Sequence, residues 1–215
     1  MPNTGVIFDM DGVIVSTDEY HYQSWLMLAK DNSIDFNRKI NNRLRGLGRA
    51  ECIEIFVEKV STAFSESQKI RMASQKNAYY LKLLEKLSPS DILPGVVDMV
   101  KELRRRRLKI AIGTSSKNCK IIIEKVGLTE FFDHCVDGNQ VEKGKPNPEI
   151  FLKVAGQMGL RPNECVVIED GEPGVEAALQ AGMKVLGVGP AVAASKATLC
   201  ISDLTSITAT ELLAL

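Results

Sequence analysis

Apolar positions along this chain follow two rhythms, and the rhythm changes twice. Val6-Ile7-Phe8 is a short unbroken apolar run, the pattern of a buried strand. From about residue 17 to about 88 such runs disappear. Tyr80, Leu83, Leu84 and Leu87 instead follow the i, i+3, i+4, i+7 spacing of an amphipathic helix. Trp25, Leu26, Leu28 and Ala29 suggest a second helix, and Cys52, Ile53, Phe56, Val57 and Val60 a third. Together they predict an all-helical insert of roughly 75 residues. Ser88-Pro89-Ser90-Asp91 and Pro94-Gly95 punctuate its exit. Beyond them helices and strands alternate: helix 95–107, strand 109–113, helix 117–126, strand 134–137, helix 148–158, strand 165–169, helix 173–181 and strand 183–188. The tail adds a strand near 199–201 and a short helix near 208–213. Asn147-Pro148 fits a helix N-cap followed by Pro in the first turn, and Gly182 fits the residue just past a helix end.

Strands alternating with helices predict a parallel sheet covered on both faces. The expected fold class is therefore α/β: a doubly wound parallel sheet, with a Rossmann-like core, carrying an inserted all-helical cap domain. The core would comprise residues 1–15 and 93–215 and the cap residues 16–92, with joints near Val15-Ser16 and Ile92-Leu93.

Composition narrows the function classes. Lys plus Arg and Asp plus Glu each number 27, so no basic field advertises nucleic acid. The Arg104–Arg107 run is the exception, and it sits where cations suit the negative end of a helix dipole. Five cysteines, an odd number without a C-x-x-C pair, argue against a disulfide framework or a zinc site. Cys165 abuts a strand pattern and reads as a core residue. No charged leader followed by an apolar stretch opens the chain, and no apolar segment approaches about 18 residues. A reduced, cytoplasmic, soluble monomer is expected, with neither membrane nor nucleic acid as partner.

The chemistry is concentrated at strand ends. Val6-Ile7-Phe8 runs into Asp9-Met10-Asp11-Gly12-Val13, placing two carboxylates where a strand gives way to a loop. In open α/β sheets that edge binds ligands. Ionised carboxylates resist burial unless paired or metal-bound, and a hard cation such as Mg²⁺ beside a phosphate would satisfy them. An ordinary surface turn is the competing explanation for these five residues alone. Further along, Ile110-Ala111-Ile112 ends at Gly113-Thr114-Ser115-Ser116-Lys117-Asn118, Lys145 precedes Pro146-Asn147-Pro148, and Val166-Val167-Ile168 runs into Glu169-Asp170-Gly171.

An acid-x-acid pair, a Thr, a Lys and a final acidic pair, in that order, resemble the four motifs of the haloacid dehalogenase superfamily. Glu19-Tyr20-His21-Tyr22-Gln23-Ser24-Trp25, Arg45-Gly46-Leu47-Gly48-Arg49, Lys76-Asn77 and Thr114-Ser115-Ser116-Lys117-Asn118 extend the resemblance over nearly the whole chain. They point to the branch that moves phosphate between the 1 and 6 positions of β-glucose through a bisphosphate. Departures are Arg45 where a Lys is expected, Gly48 in place of a Ser, and Gly171-Glu172-Pro173 in place of a Ser-led turn.

The resemblance implies roles. Asp9 would be the nucleophile that becomes an aspartyl-phosphate, and Asp11 the general acid–base. Thr114 and the Ser115 backbone would donate to the phosphoryl oxygens, and Lys145 would bridge phosphate and Asp9. Mg²⁺ would be held by Asp9, the Asp11 backbone carbonyl, Asp170 and Glu169. On the cap side His21 would orient Asp11 and Lys76 would reach the sugar, with Gly46 and Leu47 beside them. Arg49, Ser116, Lys117 and Asn118 are candidates for a second phosphate pocket, Arg because its planar fork grips phosphate oxygens in pairs. Trp25 is a candidate sugar platform, with packing inside the cap as its ordinary alternative. Taken singly, Lys76 and Lys117 read as solvated lysines and Arg49 as a helix ion-pair partner. A small-molecule sugar phosphate is the expected partner.

Three other functions compete. A phosphatase of the same superfamily would let water attack the aspartyl-phosphate and needs no second phosphate pocket. A receiver module shares the strand-end carboxylates, Thr and Lys, but does not accommodate a helical insert after its first strand. A non-catalytic sugar-phosphate binder leaves the full set of reactive side chains unexplained.

Overall fold

The computed structural model of the chain describes residues 4–61, 63–189 and 195–215. Six parallel strands form one sheet in the order β3-β2-β1-β4-β5-β6. They are β1 (Gly5–Phe8), β2 (Lys109–Gly113), β3 (His134–Val136), β4 (Cys165–Glu169), β5 (Lys184–Val188) and β6 (Leu199–Ile201). Helices α5 (Val96–Arg105), α6 (Cys119–Lys125), α7 (Glu149–Met158), α8 (Glu172–Gln180) and α9 (Ala209–Leu213) connect or follow them. Between β1 and α5 lie α1 (Asp18–Asn32), α2 (Arg38–Asn42), α3 (Arg49–Val57) and α4 (Glu66–Leu84).

Because side chains alternate along a strand, the sheet builds two cores. Val6, Phe8, Ile110, Ile112, Val166 and Ile168 face one way, against Val96, Val100 and Leu103 of α5 and Ile122 of α6. Ile7, Ala111, Val167 and Val185 face the other way, against Phe151 and Val154 of α7 and Ala177 of α8. Strands buried on both faces need unbroken apolar runs, which is why β1 and β4 were readable as sequence. The insert has its own core of Trp25, Leu28, Ile53, Phe56 and Met72. It is a cap domain over the C-terminal edge of the sheet. Its two chain crossings run side by side: Val15 bridges Ile92, and Leu93 N donates to Ile14 O at 3.0 Å.

Element ends differ from expectation where side chains compete for the backbone. The helix expected over 117–126 starts at Cys119, because Ser116 and Asn118 are spent in a turn in which Asn118 N donates to Ser116 Oγ at 3.3 Å. The helix expected over 95–107 stops at Arg105, and Arg107 turns left-handed at φ 59°. The cap position of α7 falls on Pro148 and not on Asn147 as expected, although Asn147 Oδ1 accepts from Glu149 N at 3.0 Å. Five-residue α2 was not anticipated, being too short for periodicity to register; Asn37 caps it by accepting from Ile40 N.

Candidate active site

Strand order decides where the chemistry meets. The direction of winding reverses between β1 and β4, and a crevice opens at such a switch point beyond the strand ends. Asp9 follows β1, and Glu169 and Asp170 close β4. The ladder carries on past β1, with Asp9 N donating to Ile168 O at 2.9 Å, so the two acidic ends are tied together. Lys145 reaches in from the loop before α7, its Nζ 2.5 Å from Asp9 Oδ1 and 3.0 Å from Glu169 Oε2. Burial alone would lower the pKa of this lysine, but the two carboxylates outweigh it and hold the ammonium above its ordinary value.

Asp9, Glu169 and Asp170 each place a carboxylate oxygen within 4.8 Å of the others. Burial, then the Asp9 charge, pushes Glu169 well above the ordinary carboxylate range and Asp170 up to about 7. Lys145, with Arg45 3.6 Å from Asp170 but shared with Asp18, leaves negative charge unmet, and an all-oxygen donor set with that surplus fits a hard divalent cation. Two glycines make room for it. A Cβ on Gly12 would land on the Asp170 carboxylate, and one on Gly174 would land on that of Glu169. The Asp11 side chain stands outside this cluster and is engaged from the cap side. Its Oδ1 accepts from Thr17 Oγ1 and its Oδ2 lies 4.0 Å from His21 Nε2. Burial, opposed by the Thr17 hydrogen bond and aided by Asp9, raises Asp11 to about 7.

Thr114 is buried after β2, and its Oγ1 accepts from Ser116 N at 3.2 Å. Ser115 Oγ donates across the cleft to Gly46 O at 3.1 Å. Lys76 is 7% exposed, not solvated. It lies on the buried stripe Met72-Ala73-Lys76-Tyr80-Leu84 of α4, its Nζ 2.7 Å from His21 Nδ1 and over the rings of Trp25 and Tyr80. When Lys76 is charged it can only donate, which puts the histidine proton on Nε2, facing Asp11. Burial lowers Lys76 to about 7, and burial followed by the Lys76 charge drives His21 well below its usual value. Trp25 is only 3% exposed and packs on Phe36 and Phe56, which leaves little of its face for a sugar, although it borders the cleft. Arg49, Ser116, exposed Lys117 and Asn118 line the same cleft, with Gly46 and Leu47 on its cap wall.

Sequence reasoning missed Thr17 and left the contacts of Arg45 and Asn77 unread. Thr17 occupies the N-cap position of α1 yet makes no capping bond, its hydroxyl being engaged by Asp11. Arg45 hydrogen-bonds Asp18 and lies 3.6 Å from Asp170, joining cap to core. Asn77 meets Arg49 and Asn118. A Thr at the start of a helix was a readable signal; the other two depend on how the cap docks.

The chain belongs to the haloacid dehalogenase-like hydrolase family, whose model matches residues 4–182. It is 37% identical over 205 residues to β-phosphoglucomutase of Bacillus subtilis, covering 93% of this chain and 91% of that protein. It is also 32% identical to a phosphorylated carbohydrates phosphatase of Thermotoga maritima, covering 85% of this chain and 84% of that one. The crystal structure of β-phosphoglucomutase from Clostridium difficile superposes with a TM-score of 0.91 at 35% identity, over 96% of this chain and 93% of that one. The protein is thus a haloacid dehalogenase-family enzyme, and the two relatives just named are a phosphomutase and a phosphatase. No helix among the described residues is long and apolar enough to cross a membrane.

Proposed function

We propose that the protein is a mutase interconverting β-glucose 1-phosphate and glucose 6-phosphate through an aspartyl-phosphate and a bisphosphate. The observation that carries this is one cleft lined by two sets of phosphate-ready groups. One is built from Asp9, Lys145, Thr114 and Ser115, the other from Arg49, Ser116, Lys117 and Asn118. A monophosphatase needs only the first. Similarity to the Bacillus mutase supports the same choice.

In this mechanism the Asp9 carboxylate attacks phosphorus and Lys145 offsets the charge gathering on the phosphoryl oxygens. Thr114 and the Ser115 backbone donate to those oxygens. Asp11, held near neutrality by burial, gives a proton to the leaving sugar oxygen and later takes one from the incoming hydroxyl. Thr17 and His21 aim it. Lys76, through His21, ties that proton carrier to the cap. Asp9, Glu169, Asp170 and the Asp11 carbonyl would hold Mg²⁺, which when bound supplies positive charge to the transferring phosphoryl group. The core takes residues 1–15 and 93–215 and the cap 16–92, so that cap closure excludes water from the aspartyl-phosphate. The enzyme would act as a monomer on a small-molecule sugar phosphate.

Phosphatase activity is the second possibility, favoured by the likeness to the Thermotoga phosphatase. The test is incubation with β-glucose 1-phosphate, Mg²⁺ and a trace of β-glucose 1,6-bisphosphate, followed by phosphorus NMR. Glucose 6-phosphate as the main product is expected. Inorganic phosphate as the main product would replace the mutase with a phosphatase.

A further inference from the structure

The second-phosphate set in the cleft is organised around a residue with no part in the mechanism above. Asn77 stands on α4 one position beyond Lys76. Its Oδ1 accepts from Arg49 Nη2 at 2.8 Å and from Asn118 Nδ2 at 3.0 Å. A guanidinium can only donate, so the Asn77 atom facing it is the oxygen, and Asn118 must then turn its NH₂ group to that same oxygen. Arg49 and Asn77 belong to the cap and Asn118 to the core. One amide oxygen therefore gathers donors from both sides of the cleft at a single point.

The neutrality of that acceptor matters. A carboxylate in its place would cancel the Arg49 charge that a phosphate needs. An amide occupies one of the five guanidinium N–H groups and leaves the others, with the full cationic charge, for a ligand. An arginine side chain has many rotamers, and ordering it beforehand removes that cost from ligand binding. Resting on the two-phosphate assignment of the cleft, we propose that Asn77 is a positioning residue, its side-chain oxygen holding Arg49 and Asn118 aimed at the phosphate that is not being transferred. In the absence of that phosphate the same oxygen serves as a neutral bridge between cap and core.

The test is single-turnover phosphorylation of Asp9 by β-glucose 1,6-bisphosphate, in the wild type, Asn77→Ala, Arg49→Ala and the double variant. Alanine is the best helix former, so α4 is preserved. Asn77→Ala is expected to raise the half-saturating bisphosphate concentration about tenfold, as the loss of a hydrogen bond to a charged group does, with a smaller change in maximal rate. In the Arg49→Ala background the same change should shift half-saturation by less than about twofold, since the side chain to be aimed is gone. Equal shifts in both backgrounds, or a fall confined to maximal rate, would overturn the positioning role. If Arg49→Ala weakens the bisphosphate and Asn77→Ala does not, the inference about Asn77 fails alone. If Arg49→Ala has no effect on half-saturation, the two-phosphate assignment fails and takes the inference with it.

Discussion

Two buried lysines set the core side of the cleft against the cap side. Lys145 sits between Asp9 and Glu169, and its ammonium is held above its ordinary pKa by two carboxylates. Lys76 sits between a histidine and two aromatic rings, and burial lowers it to about 7. The same side chain, equally removed from water, is locked in its charged form on one wall and poised between forms on the other. Opposite charge at hydrogen-bonding distance explains the first, and its absence the second. The core wall thus fixes charge where phosphorus reacts. On the cap wall Lys76 and His21 are the groups inexpensive to neutralise.

If the core wall does the chemistry, its substitutions should dominate. Asp9→Asn keeps the shape of the nucleophile and removes its reactivity. Turnover measured by phosphorus NMR should fall by at least about four orders of magnitude, with the circular dichroism spectrum unchanged. Near-normal turnover would dissolve the distinction between the walls. Lys145→Met leaves Asp9 and Glu169 facing each other without a cation. In magnesium-free buffer at pH 7 it should lower unfolding stability by about 3 kcal/mol in urea titrations. A stability loss well under that would mean the carboxylates had already taken up protons.

Asp170→Ala tests the surplus of negative charge. The magnesium concentration for half-maximal activity should rise by about a hundredfold, the upper end of what even an outer-shell loss costs, while sugar-phosphate affinity changes little. Calorimetric titration with Mg²⁺ gives the same shift without turnover. An unshifted titration would leave Asp170 as no more than a partner for Arg45.

The two walls were not equally legible. Each core residue ends a strand or sits in the loop after one, and strands buried on both faces announce themselves as apolar runs. Asp9, Thr114 and Glu169 were therefore located with their elements, and strand order did the rest by setting β1 beside β4. Cap residues come from helices far apart in the chain, and a helix pattern says which face is inward but not what it meets. Lys76 shows the limit. Alone it reads as a surface lysine, yet Met72, Ala73, Tyr80 and Leu84 place it on the inner stripe of α4. Arg45 and Asn77 stand in motifs that carry the resemblance, but their contacts were not readable, because the partners Asp170 and Asn118 belong to the other domain. Trp25 reads as cap packing ahead of sugar platform, and Phe36 and Phe56 are found against it.

The smallest of the expected effects has a sign that separates the two lysines. At pH 6 Lys76 is protonated in both the folded and the unfolded chain, and only the folded chain bears the cost of keeping an ammonium out of water. Lys76→Met, a neutral chain of similar length, removes that cost and should raise stability at pH 6. Contacts to His21 and the two rings offset part of it, so a gain of about 2 kcal/mol is expected. Between about 7, the folded value, and 10.5, the ordinary one, the unfolded chain binds more protons than the folded chain. Wild-type stability relative to the variant therefore climbs across that window. Above it both states carry a neutral amine and the advantage of methionine should vanish. Urea unfolding at pH 6, 8 and 10.5 measures the difference. A constant gap would mean that Lys76 stays charged in the folded cap, and a gap of the opposite sign would mean that a carboxylate holds it there, as Asp9 and Glu169 hold Lys145.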